Sequence, residues 1–566
     1  MHPCAMRLLM SLMEAILLLA GALSEEELDE SVIERFGRYA DAPLPLNTAG
    51  RSRLLESGLL SEYQATVLLE HRQRAGTVRS YTELALLDGF GARTAEALRY
   101  FTTLEGEAVR REGLRGEALL RGSVRLRDGT AEAAGGAKIL LELPQRASLF
   151  WGSRYSYGDA RYSPGSFSAS YHGKDGRWKL VAGDFHARFG QGLCAWSGFS
   201  LSGFGTAGAF GRQAQGITAS HSFSTALRGL AADAGFGPVS LSGGLYADGL
   251  RERMDGKTHK IGLGYCLNAV YRWQWGHAGL SAAGLDGAPA CSADWRMGGH
   301  GFSWSGEAAW DFRGKDIAAL TSLRWKPKYG IEAAINLRYY GPGYRSPLSG
   351  APRASGSANR DEAGGAVALS TAWGTLSYDL CTKPSEGGMG HKAILHAFHE
   401  WHAGPVTLMP ALRAVLVRRS WNGTPLRTDL RGDIGATLGK WALNLRYNTV
   451  FCRGRSWLWY AESGYDGIWL RFSLFKIDNW DDRIYVYERD VRGVFNVPAC
   501  YGRGWSLSMA ANRSFKGKAT RHRIGFRASY TRQFPSEAGR SSSFEGKLQY
   551  TIDWRVHSPY GSRASP

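Results

Sequence analysis

Residues 86–101 read LLDGFGARTAEALRYF, and these residue types are suited to holding a phosphate group. Glycine permits the left-handed backbone of a tight turn. The helix after such a turn begins with free N–H donors at the positive end of its dipole. A related turn occurs at residues 57–61. In the turn that begins at Gly89, the predicted phosphate contacts are Gly89, Gly91, Ala92, Arg93 and Thr94. In the related turn they are Gly58 and Ser61, and Arg72 and Arg74 are predicted to assist.

The two turns belong to two copies of one unit, each a short helix, a glycine-containing turn and a second helix. The copies span Arg53–Arg74 and Tyr81–Phe101. With the LNTA opening at 46–49, the LLESGL and LLDGFG turns and the HRQRAGTVRSYTEL bridge, residues 46–105 resemble the tandem helix-hairpin-helix domain of the competence protein ComEA. The resemblance implies an all-α domain that binds DNA without sequence preference through its hairpins.

Charge leaves a second role open for this domain. Its arginines and acids nearly balance between Leu46 and Leu104, whereas affinity for duplex DNA is largely electrostatic. The turn at residues 57–61 also has Leu60 where the turn that begins at Gly89 has Gly91. The alternative is a hairpin domain that docks an envelope protein.

The chain begins with the layout of a secretory signal peptide. Arg7 precedes an apolar run from Leu8 to Leu19, and small residues end the segment, so residues 1–22 are predicted to be removed on export. An acidic run follows, interpreted as a solvated mature terminus, and residues 24–42 are predicted to form a helix and a linker. A buried first helix of a cytosolic protein is the alternative.

From residue 115 to 556 the apolar period changes from 3.6 to 2 residues. Residues 330–341, 440–448 and 544–556 alternate apolar and polar side chains, and tight turns alternate with long polar loops such as Gly341–Asp361. Strands of this length that end in Tyr or Trp are typical of outer-membrane barrels. We predict a large antiparallel transmembrane β-barrel of roughly 18–24 strands, then a disordered tail at 557–566. A soluble β-sandwich array is the alternative.

The barrel also accounts for the charge of the chain, which has 69 Lys and Arg against 51 Asp and Glu, a net charge of +18. Inward-facing arginines such as Arg338 and Arg446 would line the lumen, while Leu337 and Leu443 would face lipid. The glycine-rich segment Gly190–Gly216 is either a loop folded into the lumen or an ordinary outer loop.

Two segments extend the resemblance into the barrel. GDFHARFGQGLCAWSGF (183–199) and DRIYVYERDVRGVFNVPACYGRGWSL (482–507) resemble exported Gram-negative proteins that join a ComEA-like domain to an outer-membrane barrel. The resemblance implies an outer-membrane protein with a periplasmic N-terminal domain that takes part in DNA handling or uptake. A channel or an envelope assembly factor, with the hairpin domain docked on a protein partner, is the alternative.

Enzyme chemistry, a metal and a cofactor are not predicted. The seven cysteines follow no pairing or metal-ligand spacing. HAFHEWH (396–402) cannot take a helical metal-binding geometry on a strand, and DNWDDR (478–483) is interpreted as an acidic turn. Glu488 and Asp490 are predicted to be partners of arginines in the lumen.

Overall fold

A computed structural model describes residues 12–556 except 106–112, 144–145, 159–162, 174–176, 202, 224–225, 251–259, 300, 328–329, 355–358 and 535–540. Residues 1–11 of the predicted signal peptide and the predicted tail 557–566 lie outside the described residues.

The described α-helices all precede the barrel, and short 3-10 helices at Ala207–Phe210, Ser420–Asn422 and Trp480–Asp482 lie between its strands. The α-helices are α1 Leu12–Ala20, α2 Glu30–Asp41, α3 Arg51–Glu56, α4 Glu62–Arg74, α5 Tyr81–Leu86 and α6 Gly91–Leu98. Among the described residues, no helix combines the length and the hydropathy that are needed to cross a membrane.

Strands make up most of the rest of the chain. They are β1 Leu44–Pro45, β2 Thr102–Thr103, β3 Arg115–Arg127, β4 Thr130–Leu143, β5 Ala147–Tyr155, β6 Ser163–His172, β7 Trp178–Arg188, β8 Gly216–Ala219, β9 Leu227–Phe236, β10 Val239–Asp248, β11 Gly262–Trp273, β12 Gly276–Leu285, β13 Ala288–Gly299, β14 Phe302–Asp311, β15 Asp316–Trp325, β16 Glu332–Tyr340, β17 Glu362–Ser370, β18 Gly374–Thr382, β19 Met389–Phe398, β20 Trp401–Ala403, β21 Val406–Arg419, β22 Thr424–Leu438, β23 Trp441–Phe451, β24 Arg455–Tyr465, β25 Ile468–Ile477, β26 Ile484–Tyr485, β27 Ala499–Cys500, β28 Gly502–Lys516, β29 Thr520–Gln533 and β30 Ser542–Arg555.

These strands close into one antiparallel barrel. Twenty-four of the described strands form the ring, at the upper end of the predicted range. The ring closes where β3 pairs with β30, from Arg115 opposite Arg555 to Arg127 opposite Ser543. Strand β8 pairs with the end of β7, and β20 pairs with the start of β21.

Because neighbouring strands are antiparallel, their connections alternate between the two ends of the barrel. We call the end where β3 begins and β30 ends the near rim, and the opposite end the far rim. Tight turns such as 237–238 and 439–440 lie at the near rim, whereas the long connections 189–215, 341–361 and 478–501 lie at the far rim. The long loops that the sequence predicts therefore lie at one rim, although tight turns such as 128–129 and 286–287 lie there as well.

The barrel is apolar outside and polar inside. Leu337 has 57% of its surface exposed on the outer face, while the next residue, Arg338, is 4% exposed on the inner face. The inner arginine contacts the carboxylates of Glu362 and, at 2.8 Å, Asp379. This alternation is the one that the sequence predicts.

The N-terminal helices share a separate hydrophobic core. Phe36, Leu54, Phe90 and Phe101 are fully buried in it, and the parallel pair β1 and β2 ties its two ends together. Each of the two predicted units contains a pair of helices, α3 with α4 in the first and α5 with α6 in the second. Helix α1, from the predicted signal peptide, contributes Ile16 to the same core.

Candidate functional site: the plugged lumen

The N-terminal region lies against the inner wall of the barrel, and we call residues 12–105 the plug. Glu26 of the plug pairs with two arginines of the wall. Its carboxylate accepts hydrogen bonds from Arg446, at 2.9 Å, and from Arg431, at 3.2 Å. The neighbouring Glu27 pairs with Arg413 at 3.0 Å. Three arginines from three wall strands therefore converge on two adjacent acids.

Helix α2 continues this pattern along the wall. Glu30 lies 3.6 Å from Arg121 on β3, and Glu34 pairs with Lys138 on β4. At the end of the helix, Asp41 is an ion-pair partner of three cations: Arg521 at 3.1 Å, Arg523 at 2.6 Å, and Arg492. The plug is therefore held from several directions around the ring.

The sequence predicts a separate periplasmic N-terminal domain, and the structure differs because opposite charges meet inside the barrel. The acidic run after residue 22 was interpreted as a solvated terminus, although its sign is opposite to that of the predicted lumen. That complementarity is the signal that sequence reasoning missed. Lys179 and His172 of the wall contribute to this charge complementarity, since they lie 4.0 Å and 3.6 Å from Glu56 of the plug.

The plug acids stay ionised despite their burial. Burial alone raises the pKa of Glu26, but Arg431 and Arg446 lower it by more, so the net pKa lies below its ordinary value. Glu56 behaves in the same way, because Lys179 and His172 outweigh the burial that raises its pKa. Both carboxylates are therefore charged partners of the wall at neutral pH.

The segment Gly190–Gly216 folds into the lumen, the first of the two alternatives that the sequence left open. Glu307, fully buried on β14, accepts hydrogen bonds from the backbone N–H groups of Gln191, Leu193 and Cys194 at 2.7, 3.0 and 3.1 Å. The hydroxyl of Tyr344, from another far-rim loop, donates to the carbonyl of Leu193 at 2.8 Å. One wall carboxylate thus holds three donors of the loop.

The far-rim loop 478–501 also lies inside. Glu488 pairs with Arg527 and Asp490 with Lys547, each at 2.7 Å. Arg527 also lies 3.7 Å from Asp490, so both acids have an arginine partner in the lumen, as the sequence predicts. Arg492 of the same loop reaches Asp41, so the loop contacts both the wall and the plug.

The second hairpin of the plug has the predicted backbone but lies at the near rim. Gly89 and Gly91 have φ of +82° and +73°, in the left-handed region that favours glycine. Lys326, on a near-rim connection, donates to the carbonyl of Phe90 at 3.2 Å and to the hydroxyl of Thr94 at 3.3 Å. Arg93 donates to the carbonyl of Thr371 at 3.4 Å. This hairpin therefore contacts the barrel itself.

The remaining predicted phosphate ligands are spread over the plug. A Cβ on Gly58 would lie 2.7 Å from the guanidinium of Arg35, so the first hairpin faces the inside of the protein. Ser61 caps α4 by accepting from the N–H of Gln64 at 3.0 Å, and Arg72 donates to the carbonyl of Ala49 at 2.6 Å. Ala92 and Arg74 are exposed. The structure does not bring the nine residues to one open surface, and DNA binding stays a prediction.

The described residues contain no cluster of three or more His, Cys, Asp or Glu side chains arranged to hold a metal ion. In the 396–402 segment, His402 lies 3.5 Å from Glu400 and forms a pair with it. In the 478–483 segment, Asp478 pairs with Arg503 and Asp481 with Arg453.

Comparisons with known proteins give only distant likenesses. No family model and no curated protein match the chain. Among solved structures, the outer membrane protein OpdK from Pseudomonas aeruginosa is 11% identical and matches 78% of this chain and 99% of its own, with a TM-score of 0.30. OpdL from the same organism is 8% identical over 79% and 99%, with a TM-score of 0.31. Scores this low carry no argument about the function.

Proposed function

We propose that this protein is an outer-membrane channel whose lumen is closed by its own N-terminal domain. The observation that carries the proposal is the contact between the acidic plug and the basic inner wall, above all Glu26 with Arg431 and Arg446. The membrane location and the gating are supported by separate features of the barrel.

The outer face of the barrel is suited to hydrocarbon. On β21, Leu412 and Leu416 are 67% and 41% exposed outside, while Arg413 between them turns inward to Glu27. A soluble protein would place these residues the other way round, since burial of apolar surface drives its folding. Side chains that alternate between a lipid face and a polar lumen are typical of outer-membrane barrels.

The size of the ring supports a conducting role. Barrels of 16 to 18 strands leave an aqueous channel, and barrels of about 22 strands hold a plug in their lumen. A ring of 24 strands is wide enough to hold a folded domain. Closure by the plug therefore explains how a barrel with so wide a lumen can remain impermeable.

Conductance of the full-length protein in planar lipid bilayers tests this proposal. We expect the wild type to conduct little and the double variant Glu26→Lys with Asp41→Lys to conduct at least tenfold more, because both substitutions turn attraction to the wall into repulsion. Glu70→Lys is the matched control, since its charge change lies on α4, away from these contacts.

Protease cleavage of the plug, measured on the same variants, shows whether the substitutions have released the plug from the wall. If the double variant exposes the plug to cleavage but its conductance stays at the wild-type level, the channel proposal is wrong. If the variant conducts and the Glu70→Lys protein does not, the plug is the gate.

A further inference from the structure

A cavity of about 350 Å³ lies between the plug and the wall. Helices α2 and α3 line it on the plug side, and strands β3 to β8 line it on the wall side. Pockets for small ligands begin at about 300 Å³. The cavity is therefore large enough for a small organic or inorganic ion.

Its lining carries more positive than negative charge. Three glutamates line it, and each already has a cationic partner: Glu34 pairs with Lys138, Glu56 with Lys179, and Glu142 with Arg38. Six arginines line it as well: Arg35, Arg38, Arg53, Arg115, Arg146 and Arg188. The lining therefore contains six guanidinium groups against three carboxylates, one of which, that of Glu142, pairs with Arg38.

Several lining groups also have buried polar atoms without hydrogen-bond partners in the part of the chain that the structure describes. Arg35 Nε, Arg53 Nη1 and His186 Nδ1 are buried atoms with no hydrogen-bond partner among the described residues. Burial lowers the pKa of Arg35, and Tyr39 and Asp29 oppose the change without cancelling it. A buried polar group that has no partner destabilises the folded protein, so a ligand that accepts hydrogen bonds from the two guanidinium groups would be favoured here.

The nearby imidazole of His221 does not add a charge. Burial and Arg38 lower its pKa to about 3, and its Nδ1 lies 2.7 Å from Arg38 Nη1. The neutral ring accepts a hydrogen bond from that arginine. Arg38 is thus occupied by Glu142 and His221. Arg35 and Arg53 keep buried donors without partners in the described part of the chain, and Arg188 donates to the uncharged carbonyl of Ser197 and side chain of Gln215.

We propose that this cavity binds a small oxyanion, a phosphate or carboxylate group, between Arg35 and Arg53 of the plug and His186 and Arg188 of the wall. Guanidinium groups suit such ligands because their planar donors match two oxygens at once. One bound anion would contact the plug and the wall together and so hold the plug in place. The site does not depend on whether the barrel conducts.

Thermal unfolding of the full-length protein in detergent, followed by tryptophan fluorescence, tests the site. We expect inorganic phosphate or succinate to raise the Tm in a saturable way relative to chloride at equal ionic strength. The two probes distinguish the source of the oxyanion, because a carboxylate site responds to succinate and a phosphate site to phosphate. An equal Tm in all three salts overturns the proposal.

Substitutions locate the effect in the cavity. Arg35→Gln and Arg53→Gln should each weaken binding of the effective anion at least tenfold by calorimetry. Arg74→Gln, an exposed arginine outside the cavity, should leave binding unchanged. Unchanged affinity in both cavity variants overturns the proposal.

Ser52 offers a variant that does not remove a charge. Its buried hydroxyl lines the cavity and has no partner among the described residues. Ser52→Glu would supply a resident carboxylate, so we expect a higher Tm without ligand and no response to phosphate or succinate. Ser52→Gln, of similar size but neutral, should keep the response. A Ser52→Glu protein that still responds like the wild type contradicts an oxyanion site.

Discussion

The carboxylate of Glu26 lies 2.9 Å from the guanidinium of Arg446, although 420 residues separate them in the chain. Arg446 stands in the middle of β23 and also binds Asp433, at 2.5 Å. The contact therefore places the acidic segment of the plug at mid-depth in the barrel. It also means that the last third of the chain determines where the acidic segment lies.

Replacement of Glu26 by glutamine should loosen the plug. Removing one partner of a buried ion pair costs about 3–5 kcal/mol, and we expect the low end because Arg446 and Arg431 both keep Asp433. Chemical unfolding measures this loss. A double-mutant cycle with Arg446→Gln should give a coupling energy of at least 1 kcal/mol, by the usual range for contacting residues of about 0.5–3 kcal/mol. Glu70→Gln is the control, and a coupling energy of zero would show that the contact does not hold the plug.

The plug should stay in place across ordinary pH. The pKa of Glu26 in the folded protein is below its unfolded value because Arg431 and Arg446 outweigh burial. Its contribution to stability is therefore complete above the unfolded pKa, about 4.3, and is lost as pH falls through the lower folded value. We expect protease resistance of the plug to be constant from about pH 8 to pH 5 and to fall only in stronger acid. Release of the plug between neutral pH and pH 6 would contradict this assignment.

Two substitutions of an apolar residue by arginine on strand β21 should differ in their effect on barrel assembly. Leu412 is 67% exposed outside, whereas Val415 shares the inner face with Arg413 and lies opposite Asp429. Arginine at the membrane midplane costs about 2–4 kcal/mol on the lipid face, so Leu412→Arg should impair assembly. Val415→Arg places its charge beside a carboxylate and should be tolerated better.

Heat-modifiable gel mobility after outer-membrane extraction measures the assembled fraction of each variant. If the two variants assemble equally well, this face of β21 does not contact a bilayer, and the proposed membrane location is wrong.

The alternation of side chains was predictable because it follows from the local geometry of a strand, and Leu337 and Arg338 lie on the predicted faces. The partners of Arg338 were not predictable, since Glu362 and Asp379 come from other strands. From the sequence alone, Arg338→Leu would be a mild change in a watery lumen. In the structure it leaves two buried carboxylates without their cation. The position of the plug was not predictable from the sequence either, because its ion pairs with the wall join distant parts of the chain.

Glu307→Ala should detach the loop that fills the far half of the lumen. The substitution leaves three backbone donors, those of Gln191, Leu193 and Cys194, without their acceptor. An unsatisfied buried donor costs about 1–3 kcal/mol, so we expect a lower Tm and new protease cleavage between residues 189 and 215. Glu386→Ala, which removes an exposed carboxylate at the far rim, is the control. A loop that remains protected in the Glu307→Ala protein would show that other contacts hold it.

The intact protein should not bind duplex DNA through its hairpins. Arg93 donates to the barrel backbone and Arg72 to the carbonyl of Ala49, so two of the three predicted arginines are occupied. Valine at Gly89 and Gly91 would not test this, since both have positive φ and a Cβ on Gly89 would lie 2.8 Å from Tyr63. An electrophoretic mobility shift with a generic duplex at low salt is the direct measurement. A shift that weakens with salt and is reduced by Arg74→Gln would contradict this expectation and favour the DNA-handling role that the resemblance implies.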